Sequence, residues 1–295
     1  MPSCEGRPSP IPQCVRSGTL DQKPEDANGP EEPANAADAP SGGGFLGRWR
    51  AGVTPQGTPY ENEKPLWRRI LVGFLLWTSI ISVGFVSLSL LAIFAIGWTG
   101  PPPTFNMAGM AMKGVEVRSK WVDLKDISPH LVRAVIASED QNFCTHQGID
   151  TKAIQKAMQD AENGGDLRGA STISQQTAKN VFLWNGGGWF RKGLEAYFTV
   201  VMEKMWSKPR IMETYLNVAE WGDGIYGAEQ AAQERFKVSA KDLNPRQAAA
   251  LAAVLPSPNR WKVDGPYASG RRNNRIQSLM AMVKRDGLDK CVVGP

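Results

Sequence analysis

Glu139 occupies a position that suggests chemistry as well as packing. It follows Val135 by four residues and Val132 by seven, so it continues the apolar face of a predicted helix. A carboxylate on a core-facing stripe costs desolvation free energy unless it is paired or takes part in a reaction. Spacing alone leaves two interpretations open, a functional acid or base and a helix-end carboxylate with a local hydrogen bond.

The segment that follows has the pattern Glu139-Asp140-x-x-Phe143-x-x-His146. A single histidine in such a place is more often a structural hydrogen-bonding group than a ligand. The chain has 2 histidines and 4 cysteines, and the cysteines form no C-x-x-C pair. These counts exclude zinc fingers, zinc ribbons and three-histidine metal sites.

A second group of candidate residues lies in a polar segment, Gly-Ala-Ser-Thr-Ile-Ser-Gln-Gln-Thr-Ala-Lys-Asn, over residues 169–180. Thr172 and Gln175 fit a capping box, with Gly169 as the loop exit, which predicts that a helix begins there. A cap does not explain three further polar residues that recur on one helical face: Gln176, Lys179 and Asn180. Together with Ser171 and Thr172 they offer donors suited to sugar hydroxyls and phosphate oxygens.

A third segment carries charge in the pattern Arg191-Lys192-x-x-Glu195, with Lys208 and Glu213 after it. Arg191 and Glu195 are i,i+4 neighbours, and spacing alone favours an exposed ion pair worth a few tenths of a kcal/mol. A run of three glycines over residues 186–188 precedes them without the spacing of a nucleotide-binding loop, so it predicts a flexible connection.

Helices are the elements expected to position these residues. Ser128-Pro129 predicts a helix start with a cap and a proline at the first helical position, and Pro209 predicts another. Apolar residues at helical spacing predict three more helices, over residues 194–205, 246–254 and 275–283. Because no long alternating run indicates a substantial sheet, the fold class is predicted to be mainly α.

An uncharged stretch of 29 residues, from Ile70 to Trp98, exceeds the roughly 20 residues that span a bilayer. Lys64, Arg68 and Arg69 precede it, whereas no Lys or Arg follows until Lys113. The positive-inside rule therefore predicts a single-pass anchor over residues 64–98 with the amino terminus in the cytoplasm. Cys144 and Cys291 would then share an oxidising compartment where they could pair, although the sequence does not show that they are close.

Composition divides the rest of the chain. Residues 1–63 hold ten Pro and nine Gly, which predicts a disordered cytoplasmic tail. Residues 99–295 are long enough for one domain and carry 26 Lys and Arg against 20 Asp and Glu. Such a basic domain beside a membrane suits an anionic lipid surface or an anionic lipid-linked substrate. The net charge of +5 over the whole chain is too small to indicate nucleic acid as a partner.

Taken in order, the motifs resemble glycosyltransferase family 51, the enzymes that polymerise peptidoglycan strands from lipid II. Four of them match between about residues 118 and 285: EDxxFxxH, GASTISQQTAKN, RKxxE and KxxIMExYLN. The segments NVAEWGDGIYG and LPSP are similar to the monofunctional branch. The resemblance implies a lysozyme-like, mainly helical domain with a small membrane-proximal jaw lobe. It also implies inverting β-1,4 transfer that releases undecaprenyl diphosphate.

The resemblance also implies roles for individual residues. Glu139 corresponds to the general base that deprotonates the acceptor's 4-hydroxyl, and Glu195 to a second essential carboxylate near the donor's diphosphate. The other matching positions are implied substrate contacts: Asp140, Phe143, His146, Ser171, Thr172, Gln175, Gln176, Lys179, Asn180, Arg191, Lys192, Lys208 and Glu213. The chemistry requires no cofactor. Whether Glu195 orients its neighbouring cations or holds Mg²⁺ or Mn²⁺ stays open.

Two other functions compete with polymerisation: a lysozyme-like lytic enzyme that cleaves glycan, and a non-enzymatic envelope scaffold. Arg191, Lys192 and Lys179 argue against the first, because glycan cleavage needs no cationic diphosphate site. The polar cleft residues argue against the second.

The chain lacks S-x-x-K and K-T-G, so no transpeptidase activity is expected. The expected location is the bacterial inner membrane, with lipid II, the growing strand and other cell-wall synthesis or division proteins as partners.

Overall fold

The computed structural model describes residues 65–164 and 171–294, and this part of the chain is mostly helical. The predicted tail over residues 1–63, together with Gly169 and Ala170, lies outside the described residues. The helices run as follows: α1 Leu66–Thr99, α2 Phe105–Met112, α3 Pro129–Glu139, α4 Thr151–Glu162, α5 Ile173–Phe182, α6 Gly188–Met205, α7 Lys208–Val218, α8 Ala228–Phe236, α9 Pro245–Val254, α10 Pro266–Ser269, α11 Arg271–Arg285 and α12 Lys290–Val293. The prediction of a mainly α fold is confirmed.

α1 is, among the described residues, the one helix long and apolar enough to cross a membrane. Its 34 residues would extend for about 51 Å at 1.5 Å per residue, against a hydrocarbon core of about 30 Å. Most of its side chains are exposed, and Ser89 and Ile93 are buried. The helix fits a single-pass membrane protein.

The carboxyl-terminal half of α1 packs on the rest of the domain. Ser89 Oγ and Tyr197 Oη are 2.6 Å apart, and Trp206 Nε1 donates to the carbonyl of Ile93 at 2.8 Å. Arg210 donates to the carbonyl of Ile96 at 2.9 Å. Because Tyr197 belongs to α6 and Arg210 to α7, this end of α1 is joined to the helices that follow the glycine run.

Local capping signals explain where the central helices begin. Ser128 Oγ accepts from the backbone N–H of His130, and Pro129 is the first residue of α3, as predicted. The predicted capping box is also confirmed, since Thr172 accepts from the N–H of Gln175 and the Gln175 side chain accepts from the N–H of Thr172. These caps satisfy backbone groups that a helix end leaves unpaired.

The core is formed by α3, α9 and α11 on one side and by α5, α6 and α7 on the other. α9 is buried in this core from Ala248 to Val254, and six consecutive positions are alanine or leucine: Ala248, Ala249, Ala250, Leu251, Ala252 and Ala253. Small side chains let neighbouring helices approach closely, so α9 is packed on several sides. The apolar stripe of α3 faces α9 and α11, which fixes the position of Glu139 at its end.

A small sheet of order β1-β3-β2 completes the described fold, from β1 Arg118–Ser119, β2 Glu220–Gly222 and β3 Ile225–Tyr226. β1 is parallel to β3, and β2 is antiparallel to it with Glu220 opposite Tyr226. Gly224 turns the chain between β2 and β3 at φ +70°, and a Cβ there would lie 2.3 Å from the carbonyl oxygen of Glu116. Strands of two or three residues are too short to show alternation in the sequence.

The carboxyl-terminal helix α12 is linked to α3 and to the loop that follows α3. Cys144 and Cys291 form a disulfide, which answers the question that the sequence left open. Arg133 Nε on α3 also donates to Asp289, the cap of α12, at 2.7 Å, and both side chains are largely buried. Two links therefore join α12 to α3 and to the loop after it.

Candidate active site

Glu139 ends α3 and meets the polar face of α5. Gln176 Nε2 donates to Glu139 Oε2 at 3.1 Å, and Tyr215 Oη on α7 donates to Gln176 Oε1 at 3.3 Å. Tyr215 is fully buried, so its ring fixes the hydroxyl. The amide of Gln176 is thereby held in one orientation, and it presents its N–H to the carboxylate of Glu139.

Desolvation is the largest influence on Glu139 and raises the pKa of its carboxyl above the ordinary value. The hydrogen bond from Gln176 and the charge of Arg272 act in the opposite direction, and the nearby Asp140 carboxylate raises the pKa further. The side chain is still partly exposed. A carboxylate with a raised pKa and access to a cleft is a stronger base than a fully solvated one.

Asp140 and His146 form a structural pair beside this carboxylate. Asp140 Oδ2 accepts from the backbone N–H of Ile173 at 2.9 Å, and His146 Nε2 lies 2.9 Å from the same oxygen. His146 Nδ1 accepts from the N–H of Gly148, so the proton is assigned to Nε2. The pair joins the loop after α3 to the start of α5. A direct contact of Asp140 or His146 with substrate stays a prediction.

Lys208 and Phe143 belong to a second buried network. Lys208 Nζ donates to Glu203 at 2.7 Å and lies 4.4 Å from the centre of the Phe143 ring. Ser174 on α5 also bonds to Glu203. These contacts hold α5, α6 and α7 together, and they engage Lys208 before any substrate is present.

Glu213 is engaged in a similar way. One of its oxygens accepts from the N–H of Leu124 at 2.9 Å, and the other pairs with Arg210. Its predicted substrate contact stays untested. The hydrogen bond to Leu124 holds the segment before α3 against α7.

The remaining residues of the second motif line up along α5 as expected. Thr172 Oγ1 donates to the carbonyl of Gly148 at 2.5 Å, and Lys192 Nζ donates to Ser171 Oγ at 3.4 Å. Asn180 accepts from Asn106 of α2 at 3.3 Å. Thr172 and Gln175 thus serve the helix start, whereas Gln176, Lys179 and Asn180 occupy the wall of a cleft.

Glu195 is buried, with 3% of its surface exposed, and two cations bind it. Arg191 Nη1 donates to Glu195 Oε2 at 2.7 Å, and Lys192 Nζ donates to Oε1. The expectation of an exposed pair, drawn from spacing alone, is therefore wrong, because α6 turns this face toward α5. Burial lowers the pKa of Lys179, and the charges of Arg191 and Lys192 lower it further, while Glu195 raises it.

Three cations around one carboxylate leave an excess of positive charge at this place. Lys179, Arg191 and Lys192 interact electrostatically with Glu195 and with one another. An arrangement of this kind favours a diphosphate, since phosphate oxygens accept charge-assisted hydrogen bonds from Arg and Lys. Within residues 65–164 and 171–294, no three His, Cys, Asp or Glu side chains are grouped to hold a metal ion.

Two clefts adjoin the hydrogen-bonded pair of Glu139 and Gln176, with Glu139 lining one and Gln176 lining the other. The first has a volume of about 290 Å³ and is lined by Glu139 and by polar residues of α3, of α4 and of the loops beside them: Ser138, Gln141, Asn142, Asp150, Lys156, Ser171 and Thr172. The second, of about 200 Å³, is lined by Gln176, Lys179, Asn180 and residues to which the sequence analysis assigned no role: Asn106, Asn185, Tyr215, Glu220, Tyr226, Pro256 and Pro258. Five of these, Tyr215, Glu220, Tyr226, Pro256 and Pro258, lay inside segments used for the resemblance, whereas nothing in the sequence marked Asn106 or Asn185.

The family model described as Transglycosylase matches residues 107–281. The chain belongs to the transglycosylase family. It is 52% identical over 200 residues to the biosynthetic peptidoglycan transglycosylase of Rhodospirillum centenum, covering 67% of this chain and 87% of the relative. It is 48% identical over 227 residues to the one of Caulobacter vibrioides, covering 76% and 97%. For the one of Pseudomonas aeruginosa the identity is 45% over 216 residues, covering 70% and 90%.

The segment that matches the family model contains most of the candidate active site. The matched residues include every candidate from Glu139 to Glu213, the small sheet and the lining of both clefts except Asn106, and they begin after α1. The transglycosylase is therefore a glycosyltransferase domain preceded by one apolar helix.

Proposed function

We propose that this transglycosylase polymerises lipid II into peptidoglycan strands by β-1,4 transfer with inversion, releasing undecaprenyl diphosphate. One observation carries the proposal: a desolvated, oriented carboxylate, Glu139, and the cationic cluster around Glu195 both adjoin the polar face of α5. A base and a diphosphate site are the two devices that this transfer needs.

The reaction can proceed as one in-line displacement. The donor sugar is α-linked to diphosphate and the product is β-linked, so attack by the acceptor's 4-hydroxyl on C1 inverts the configuration. The C1–O bond to the diphosphate breaks as the new glycosidic bond forms, and Glu139 takes the hydroxyl proton. Positive groups aimed at the departing diphosphate stabilise the charge that develops on it, and Lys179, Arg191 and Lys192 are suited to this.

A divalent cation is the alternative means of neutralising the diphosphate. Mg²⁺ or Mn²⁺ beside Glu195 would compete with Arg191 and Lys192, which both bind that carboxylate. The proposed mechanism therefore requires no metal. Activity that survives exhaustive chelation supports this mechanism. If activity is lost on chelation and either ion restores it, a metal ion neutralises the diphosphate.

We propose further that α1 anchors the enzyme in the bacterial inner membrane with its amino terminus in the cytoplasm. The basic residues before the uncharged run Ile70–Trp98, and the absence of Lys and Arg directly after it, support this orientation. A periplasmic reporter fused after residue 295 should be active. Activity from a cytoplasmic reporter alone would reverse the orientation.

The function itself is tested with two substrates. Purified full-length protein is incubated with labelled lipid II and, separately, with labelled glycan strands, and the products are separated by gel electrophoresis. Long chains made from lipid II with intact strands in the second reaction support polymerisation. Shortened strands without polymer would indicate a lytic enzyme, and no change in either reaction would indicate a scaffold.

A further inference from the structure

The segment from the end of α9 to the first turns of α11 is strongly basic. Residues 255–275 contain one acidic side chain, Asp264, and five cationic ones: Arg260, Lys262, Arg271, Arg272 and Arg275. Arg272 is half-buried and the other four cations are exposed. Neither the base nor the proposed diphosphate site uses them. We refer to the four exposed cations, Arg260, Lys262, Arg271 and Arg275, as the basic cluster.

A stack of side chains brings the two ends of this segment together. The rings of Trp261 and Tyr267 are stacked with their centres 3.8 Å apart. The guanidinium of Arg272 lies over the other ring of the pair, 5.2 Å from the centre of Tyr267. The cations on either side of Trp261 in the chain are thereby held near those on the first turns of α11. The basic cluster is therefore one patch on the surface of the folded domain.

The basic cluster is not neutralised by the protein itself. Within residues 65–164 and 171–294, no Asp or Glu forms an ion pair with any of its four cations. Arg271 and Arg272 also occupy the first turn of α11, where the helix dipole favours acidic side chains. Because like charges repel one another, an anion that binds here lowers the electrostatic free energy of the patch.

The basic cluster adjoins the active site on the side of the second cleft. Pro256 and Pro258, near the start of the basic segment, line that cleft. Asn259 donates from Nδ2 to Glu220 Oε1 at 3.2 Å, and Glu220 lines the same cleft. Arg260 is the next residue along the chain. The wall of the cleft therefore continues directly into the cluster.

Arg272 gives a second indication that the cluster is near the reacting groups. Its Nε donates to the carbonyl of Ala253, at the end of α9, at 3.3 Å. Desolvation raises the pKa of the Glu139 carboxyl, and the positive charge of Arg272 acts in the opposite direction. Such an effect requires the two charges to be close, since solvent and salt screen charges over about 10 Å. The first turn of α11 therefore lies on the active-site side of the domain.

The position of the cluster and the chemistry of the substrate indicate which anion fits. α1 is joined to α6 and α7 through Tyr197 and Arg210, whereas the cluster belongs to the part of the core that contains α9 and α11. This separation from the membrane anchor disfavours a phospholipid headgroup. The donor's diphosphate is attracted to the cations around Glu195 instead. The other anionic part of a peptidoglycan precursor is its short peptide, which carries free carboxylates.

We propose that the basic cluster binds the carboxylates of the substrate's peptide, outside the clefts that hold the reacting groups. The inference rests on the proposed function, since it concerns the same substrate. The peptide does not take part in the reaction, so the cluster binds it equally in the ground state and in the transition state. Removing such uniform binding raises KM and leaves kcat nearly unchanged.

The first test measures steady-state polymerisation of lipid II by the full-length chain. The double variant Arg271→Gln, Arg275→Gln removes two exposed cations and leaves the core intact. Its KM should rise about fivefold while kcat changes less than about twofold, because exposed charge pairs contribute modestly to binding. The matched control is Lys284→Gln, Lys290→Gln, which removes two exposed cations at and beyond the other end of α11 and should keep both constants.

A second substrate identifies the group that is bound. For lipid II whose peptide carboxylates are converted to uncharged amides, wild type and the Arg271→Gln, Arg275→Gln variant should have the same KM. A KM that rises equally with both substrates would overturn the proposal, and so would unchanged constants with native lipid II. If the variant instead loses binding to vesicles of anionic phospholipid while its KM is unchanged, the cluster contacts the membrane and the proposal is wrong.

Direct binding separates the basic cluster from the proposed function. The affinity for a labelled disaccharide–peptide fragment is measured with wild type and with Arg271→Gln, Arg275→Gln, which requires no polymerisation. If the wild type makes no polymer, the proposed function fails, and the fragment still tests the cluster. About fivefold weaker binding to the variant supports the proposal, and equal affinity overturns it.

Discussion

Replacing Glu139 by glutamine tests the assignment of the base with little change in shape. The introduced amide keeps a carbonyl oxygen that can accept from Gln176 Nε2, the donor that now binds Glu139 at 3.1 Å. The polar link from Tyr215 through Gln176 is therefore preserved. What is lost is the ability to take a proton from the acceptor hydroxyl.

The expected loss follows from the role. General-base catalysis contributes about 10²–10⁴-fold, so kcat should fall by that factor, which corresponds to about 2.7–5.5 kcal/mol of activation free energy.

The stability of Glu139→Gln should not fall. Folding raises the pKa of Glu139, so the stability that this group contributes is present below its unfolded pKa and is lost as pH rises through the folded value. At neutral pH an uncharged amide therefore leaves the melting temperature equal or higher.

The assay measures polymer yield, lipid II binding and melting temperature for wild type, Glu139→Gln and the control Glu162→Gln. Normal polymerisation by Glu139→Gln would refute the reasoning. The mechanism would then have to rely on another carboxylate, and Asp140 and Glu213 are the nearest in the motifs. Both already accept backbone hydrogen bonds, from Ile173 and Leu124 respectively, which makes them less suited to the task.

The pH dependence of the rate gives a second test of the same residue. A base works only when it is deprotonated, so kcat should fall as pH decreases through the pKa of Glu139. Because desolvation raises that pKa, the midpoint should lie above the ordinary value of 4.5. A midpoint at or below 4.5 would contradict the described environment.

Three further changes have distinct expected results. Glu195→Gln should abolish polymerisation and weaken binding of a donor-site inhibitor resembling moenomycin, because two cations lose the carboxylate that orients them; unchanged inhibitor affinity would contradict this. Trp184→Ser with Trp189→Ser, in a folded protein lacking residues 1–98, should weaken vesicle binding, since these rings are 44% and 92% exposed; equal binding would assign them to packing. Cys291→Ser should lower unfolding free energy by about 2–5 kcal/mol through loss of the bond to Cys144, and a melting temperature equal to wild type under oxidising conditions would argue against that link.

Local signals explain how much of the fold could be predicted. Ser128-Pro129 and the Thr172–Gln175 box act within a few residues, so the starts of α3 and α5 are visible in the sequence. The uncharged run that became α1 is equally local. The small sheet was not predictable, since its strands are two or three residues long and β1 pairs with β3 across more than 100 positions of sequence.

The burial and contacts of the site residues could be predicted less well, because they depend on packing between elements that are distant in the sequence. Spacing favoured an exposed ion pair at Glu195, and the structure buries it between α5 and α6. Lys208 shares a motif with the other candidates, yet its ammonium group forms an ion pair with Glu203 and lies over the Phe143 ring. The contribution of Asn106 depends on where α2 packs against α5, which no pattern in the sequence indicates.

The central claim is that Glu139 and the cations around Glu195 together extend glycan from lipid II. The most direct measurement compares purified wild-type protein with Glu139→Gln, using labelled lipid II and a gel that resolves chain length. The wild type should give long chains that lysozyme digests, as β-1,4-linked strands must be, and Glu139→Gln should give at least a hundredfold less. Equal amounts of polymer from the two proteins, or none from the wild type, would contradict the account.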